Sequence, residues 1–210
     1  VVLTINYGKG EKAKKYVESE SKKIDLVAEL LPSFEAKEIY QPMEGFNQNN
    51  IYSLKDAKNF LCLLNPEKFK TLEQYKSSLE NVDFDILLIE PSINGEFFSR
   101  EQIESLKKKS SGARRLVIAY FSIGEAENYR YYWKKSWNKK HPDWIAEENS
   151  NWSGNYRVKY WSPEWKSIIK DYQKKLDEIG VDGYLLDTVD TYYYFEDKDE
   201  EKQKAKTKKK

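Results

Sequence analysis

The chain has 210 residues, with 36 Lys and Arg against 35 Asp and Glu, a net charge of +1. That balance gives no basic footprint for nucleic acid, and no apolar run reaches the length of a membrane span. Cys62 is the only cysteine and His141 the only histidine, which excludes an internal disulfide, a thiolate metal site and a multi-histidine zinc site. Any chemistry then rests on carboxylates, tyrosines or lysines. The chain starts at Val1 without a methionine, which is compatible with removal of a leader.

Ala13, Tyr16, Val17, Ile24, Val27, Ala28 and Leu31 recur at helical spacing and predict an amphipathic helix over 11–31. Residues 32–50 read as loop, so 1–50 form an N-terminal extension. From 51 to 196 apolar runs of strand length alternate with helical segments. The runs are 59–65, 84–91, 115–124, a weaker one at 156–161, and 181–187. Thr71 with Gln74, and Ser99 with Gln102, have the spacing of capping boxes and mark two helix starts. Ser162 and Pro163 open a third helix, with Trp165, Ile168, Ile169, Tyr172, Leu176 and Ile179 on one face and Gly180 at its end. Alternation of this kind predicts an α/β fold with a parallel sheet, open or closed into a barrel. The final stretch 197–210, DKDEEKQKAKTKKK, lacks periodicity and reads as a disordered tail.

In parallel α/β folds the chemistry gathers at the carboxyl ends of the strands. The runs here end in Glu90, then in Ser122, Gly124, Glu125 and Glu127, then in Asp187 with Asp190 just beyond. Acids thus follow three strands at the same end, and two carboxyl groups flanking a glycosidic bond are what glycosidases use. Each acid also has an ordinary reading. Glu90 precedes Pro91, Glu127 can favour the start of a helix or turn, and Asp190 can cap the next segment. Asp187 closes the apolar run Tyr184, Leu185, Leu186, where a carboxylate needs a partner or a function. All six tryptophans, from Trp133 to Trp165, fall in one stretch. Roughly half of these rings are expected in packing. The others, mixed with Asn, Glu and Arg, suit the apolar faces and hydroxyl edges of sugar rings. Nucleic-acid bases also stack on aromatics, but an acidic cluster would repel phosphates. His141 before Pro142 reads as a loop residue, and Cys62 as a small buried hydrophobe.

Three segments carry a resemblance: YFSIGEAENYRYYW (120–133), DWIAEENSNWSGNYRVKYWSPEW (143–165) and GVDGYLLDTVDTYYYFE (180–196). From about Asn59 to Glu196 the chain resembles the bacterial and archaeal branch of glycoside hydrolase family 114, endo-α-1,4-polygalactosaminidases with a (β/α)8 barrel, usually secreted. The resemblance implies a TIM-barrel type α/β fold. It implies a catalytic role for Asp187 in DGYLLD and places Glu125 and Glu127 of SIGEAE at the mouth of the site. Tyr120, Tyr129, Arg130, Asn155, Tyr156 and Trp161 match cleft positions; Glu90 and Asp190, the other strand-end acids, complete the expected substrate-binding set. The family's second catalytic acid lies on a later strand. This chain gives five strand candidates and ends soon after Glu196, so the expected barrel is incomplete at its C-terminus. Residues 1–8, VVLTINYG, are a candidate for one further strand. The partner of Asp187 is then either that later acid or Glu125.

The implied activity is hydrolysis of an α-1,4-linked galactosamine or N-acetylgalactosamine polysaccharide by paired carboxylates. No metal or organic cofactor, nucleic acid or membrane span is expected, and the protein is expected to be secreted and monomeric. The alternative is a non-catalytic carbohydrate-binding protein using the same aromatic cleft. Members of the group have carried a cysteinyl-tRNA synthetase label. The lone histidine in HPDW and the lack of a cysteine pair argue against that here.

Overall fold

The structure, a computed structural model, describes residues 1–22 and 25–207. In chain order its elements are β1 (Val2–Tyr7), α1 (Gly10–Ser21), β2 (Leu26–Leu31), β3 (Phe60–Leu63), α2 (Leu72–Glu80), β4 (Ile86–Ile89), β5 (Ser92–Ile93), β6 (Glu96–Phe97), α3 (Arg100–Leu106), β7 (Leu116–Ser122), β8 (Glu125–Glu127), β9 (Ile145–Glu148), β10 (Asn155–Val158), α4 (Pro163–Ile179), β11 (Gly183–Asp187) and α5 (Thr191–Thr207). They divide into two compact units, Val1–Tyr120 with Lys175–Leu185, and Phe121–Lys174 with Leu186–Lys210.

In the first unit β1 and β2 form a parallel pair, Val2 opposite Leu26 through Tyr7 opposite Leu31. Residues 1–8 thus do supply a strand, but it lies in a sheet of its own with β2 and does not extend the four-stranded sheet. The helix expected over 11–31 is two elements: α1 ends at Ser21, Asp25 turns the chain with φ 61°, and β2 follows. Ile24, counted in that helix, lies outside the described residues. The cause is an ambiguity of short apolar runs: Val27, Ala28 and Leu31 continue the helical spacing of Ala13 and Val17, yet they are the buried positions of a strand.

The runs at 59–65, 84–91, 115–124 and 181–187 become β3, β4, β7 and β11, a four-stranded sheet in the order β11-β7-β4-β3. Phe60 to Leu63 lie opposite Ile86 to Ile89, and these opposite Leu116 to Ala119, all parallel. Every residue of β3 and β4 is buried, which explains their near-continuous apolar sequence. Among the described residues the sheet is open, with β11 and β3 at its edges; the parallel α/β pattern is observed without closure into a barrel. Both predicted caps form. Thr71 Oγ1 accepts the Gln74 N–H at 3.2 Å, and Ser99 and Gln102 make the reciprocal pair. Residues 32–50 have no helix or strand and are fastened by side chains. The Glu29 carboxyl accepts the N–H groups of Met43 and Phe60 at 3.0 and 3.4 Å, and the Tyr40 hydroxyl donates to Phe60 O at 2.8 Å. Burial pushes the Glu29 carboxyl up to about 8, against the pull of those two N–H groups.

In the second unit β8, β10 and β9 form an antiparallel sheet, with Asn155 opposite Glu127 and Arg157 opposite Glu125. The run at 156–161 was expected as a strand of the parallel sheet; β10 is instead the centre of this antiparallel one. The loop before it, turning at Gly154 with φ 86°, is too short for a parallel crossover. Helix α4 runs as expected from Pro163, with Trp165 and Tyr172 buried, and ends at Gly180, φ 82°. The core of this unit is Ala126, Trp144, Ile145, Val158 and Trp165, with Trp133 and Trp137 against it. Four of the tryptophans are therefore packing, and Trp152 and Trp161 are exposed. The segment 197–210, expected as a disordered tail, is helical to Thr207 as part of α5, and 208–210 lie outside the described residues. Its Glu, Lys, Gln and Ala are strong helix formers, and Lys202–Asp199 and Lys204–Glu200 pair at 3.1 and 3.2 Å along it.

Candidate active site

Within the second unit, the chain leaving β7 is stitched to the chain leaving β11. Ile123 N–H donates to Asp187 O at 3.1 Å. Gly124 N–H donates to Thr188 Oγ1 at 2.8 Å. The Ser122 hydroxyl lies 3.0 Å from Thr188 Oγ1 and donates to Glu125 O, also at 3.0 Å. The approach is too close for a side chain at 124: a Cβ there would stand 2.1 Å from Thr188 O and 2.6 Å from Thr191 Oγ1. Thr188 has φ 59°. A β-branched residue in the left-handed region is a genuine outlier, and such strain concentrates at functional sites. Here it falls immediately after Asp187.

Glu125 opens β8 and is 3% exposed. Its Oε1 accepts the Asn149 side-chain amide at 2.8 Å. Its Oε2, also buried, has no hydrogen-bond partner among the described residues. Burial pushes its carboxyl above the usual range. Asp187 and Glu127 push the same way, and the Asn149 amide and Arg157 pull it down. Asp187, at the end of β11, is exposed. The structure thus brings both expected catalytic acids to one seam, in electrostatic contact and in opposite environments. One is buried and biased toward its protonated form, the other faces solvent.

The other expected residues divide. Glu127 is buried, accepting the Tyr129 hydroxyl at 2.6 Å and paired with Arg130 Nε at 2.5 Å. Arg130 stands 5.2 and 5.6 Å from the Tyr129 and Tyr172 ring centres. This charge-paired knot backs the β8 strand; it shapes the region from within. Tyr156 stacks on Trp133 at 5.0 Å and meets His141 at 4.9 Å, so its ring is largely committed to packing. Asn155 closes the 149–155 loop, its carbonyl accepting Asn149 N–H at 2.7 Å. Asp190 directly precedes α5, and its carbonyl accepts Tyr193 N–H at 3.0 Å. Trp161 is 49% exposed, edge-on to Tyr160 and Phe195 at 4.9 and 4.8 Å. Glu90 and Tyr120 belong to the first unit. There both are buried, and Glu90 accepts from the Ser92 N–H and hydroxyl. Among the described residues no group of three His, Cys, Asp or Glu side chains could hold a metal ion, and no helix is long and apolar enough to cross a membrane.

Two residues of the seam escaped the sequence reading. Asn149 sits in ENSNWSGN, a stretch whose interest lay in its tryptophan. Thr188 carries no sequence signal for positive φ, since Thr is not a residue that favours it.

The profile of glycoside-hydrolase family GH114 matches residues 46–210. An uncharacterized protein of Methanocaldococcus jannaschii is 38% identical over 82% of this chain and 51% of its own length. One of Thermotoga maritima is 36% identical over 60% of this chain and 42% of its own. The chain therefore spans about half the length of these curated relatives. Among solved structures, Aspergillus fumigatus Ega3 in complex with galactosamine is 29% identical with a TM-score of 0.41, over 53% of this chain and 39% of that one. The glycoside hydrolase domain of PelA from Pseudomonas aeruginosa is 19% identical with a TM-score of 0.40, over 52% and 39%.

Proposed function

The chain belongs to glycoside-hydrolase family GH114, and from that premise we propose that it hydrolyses a glycosidic bond with Asp187 as one acid; the seam, and not the family likeness, favours Glu125 as the second. Glu125, held toward its protonated form by burial, gives its proton to the glycosidic oxygen as the bond to the anomeric carbon breaks. Asp187 supplies the second carboxyl that the reaction needs, and water supplies the hydroxyl of the new reducing end. The observation that carries this reading is the seam itself: two carboxyl-bearing turns fastened together by Ser122, Gly124 and a strained Thr188. The substrate is an α-1,4-linked galactosamine or N-acetylgalactosamine polymer, and we read the four parallel strands as part of a (β/α)8 barrel. The carboxyls of Glu125, Glu127 and Asp187 interact electrostatically, which favours a cationic sugar chain over an anionic one.

Binding without turnover is the second reading, favoured by the exposed rings of Trp161 and Tyr160, which would serve a lectin as well as an enzyme. Incubation with fully de-N-acetylated and N-acetylated α-1,4-galactosaminan, with Asp187→Asn in parallel, separates the two. New reducing ends from the unmodified chain, absent with the variant, support hydrolysis. Polymer retention without new ends, equal in both proteins, supports binding alone.

A further inference from the structure

We propose that Glu29 and Tyr40 form a proton-held seal over the outer edge of β3, and that loss of the Glu29 proton opens that edge and frees the segment 32–50.

β3 is an edge strand of the four-stranded sheet, and a bare edge would leave a row of backbone groups unpaired. On its inner edge β4 lies alongside, and Leu63 O accepts the Glu90 N–H just beyond β4 at 3.2 Å. Its outer edge is closed largely by side chains. Phe60 N–H donates to Glu29 Oε1 at 3.4 Å. The Tyr40 hydroxyl donates its one proton to Phe60 O at 2.8 Å and accepts the Cys62 N–H at 3.2 Å. Leu64 N–H then donates to Ala36 O at 2.9 Å. The other Glu29 oxygen, Oε2, accepts the Met43 N–H at 3.0 Å. One carboxyl on β2 therefore joins β2, the segment 32–50 and β3, at the edge where a further strand would otherwise pair. Glu29 and Tyr40 are both buried.

The charges around the seal make it sensitive to protonation. Burial raises the Glu29 carboxyl, the Met43 and Phe60 N–H groups pull it down, and Glu44, of the same charge, raises it again. The Asn6 amide of β1 donates to the Glu29 backbone carbonyl at 3.3 Å. Cys62 on β3 and Tyr7 on β1 act on the Tyr40 hydroxyl, which burial, with Glu29 beside it, keeps protonated. The ordinary carboxyl value is 4.5 and the sealed one about 8. Below 4.5 the open and closed states both hold the proton, and the seal is tightest. Between the two values the open state has released a proton that the closed state keeps, so opening becomes easier as pH rises to about 8 and levels off above it.

The test is amide hydrogen exchange, read residue by residue by NMR at about pH 5 and about pH 8 and corrected for the intrinsic rate. Phe60, Cys62 and Met43 report the seal. Leu61 and Leu63, alternate residues of the same strand whose backbone groups point toward β4, are the internal control. Protection at the seal amides should fall at least tenfold more than at the controls between the two pH values. Glu29→Gln, which cannot ionise, should remove that extra fall. Tyr40→Phe, which keeps the ring, should cost Cys62 protection at both pH values while Met43 keeps its pH dependence. Equal falls at seal and control amides in the unmodified chain overturn the proposal, as does an extra fall that persists in Glu29→Gln. Should Glu29→Gln not fold, the unmodified chain and Tyr40→Phe decide the matter, and Cys62 protection untouched by Tyr40→Phe counts against the seal.

Discussion

Gly124→Ala probes the seam with one methyl group. The new Cβ would sit 2.1 Å from Thr188 O, a distance real Cβ atoms essentially never reach. Both obstacles are poor movers: one is backbone, the other the Thr191 side chain at 2.6 and 2.8 Å. Relief requires a separation of about 1 Å, which breaks the Gly124–Thr188 bond at 2.8 Å and strains the Ile123–Asp187 bond at 3.1 Å. Those two bonds are worth about 1 kcal/mol each, and overpacking adds about 1–3 kcal/mol. The expected loss is roughly 3–5 kcal/mol. For a chain of this size that corresponds to a fall in Tm of about 6–20 °C. Urea denaturation followed by circular dichroism, with calorimetry for Tm, measures it. A loss under about 1 kcal/mol would refute the reasoning, since it would mean that the two turns part freely.

Two further outcomes are expected. Glu29 keeps its proton to about 8 in the folded chain, against an ordinary value of 4.5, so between those values the folded state holds a proton that the unfolded state has released. Its contribution to stability is therefore greatest below about 4.5 and is lost as pH rises through about 8, on the order of a few kcal/mol in all. Glu29→Gln should flatten that decline, and an unchanged slope in chemical denaturation between these pH values would contradict the assignment. Trp161→Ala, at an exposed ring, should leave stability within about 0.5 kcal/mol yet weaken retention of the galactosamine polymer by about 3–10-fold, the worth of one aromatic face. Unaltered retention would remove Trp161 from the sugar-binding surface.

What could be read from sequence was local. The capped starts at Thr71 and Ser99, the helix from Pro163 to Gly180, and the buried runs behind β3, β4, β7 and β11 each announce themselves within a dozen residues. Partners could not be read in the same way. β10 reads Asn-Tyr-Arg-Val, too polar for a doubly buried parallel strand, and its partner follows only from the short connection to β9. Helix α1 and strand β2 merged because apolar spacing alone does not mark where one period gives way to another. At the site, strand-end logic found Asp187 and Glu125. The Glu127–Arg130 pair, three residues apart, was within reach of the same reading, and its spacing was the missed clue. Tyr156 looked like a cleft residue because a ring packed on Trp133 and a ring open to ligand have the same letter. The left-handed turn at Thr188 exists only once β7 and β11 lie side by side.

The most direct test of the acid pair is the rate of Glu125→Gln on two substrates with the same sugar, the galactosaminan polymer and an activated aryl α-galactosaminide. A group that protonates the leaving oxygen matters for a poor leaving group and hardly at all for a good one. The account predicts a loss of about 10²–10⁴-fold on the polymer, with near-normal cleavage of the aryl glycoside. An equal loss on both substrates, or none on either, would contradict the assignment of Glu125 as the proton donor beside Asp187.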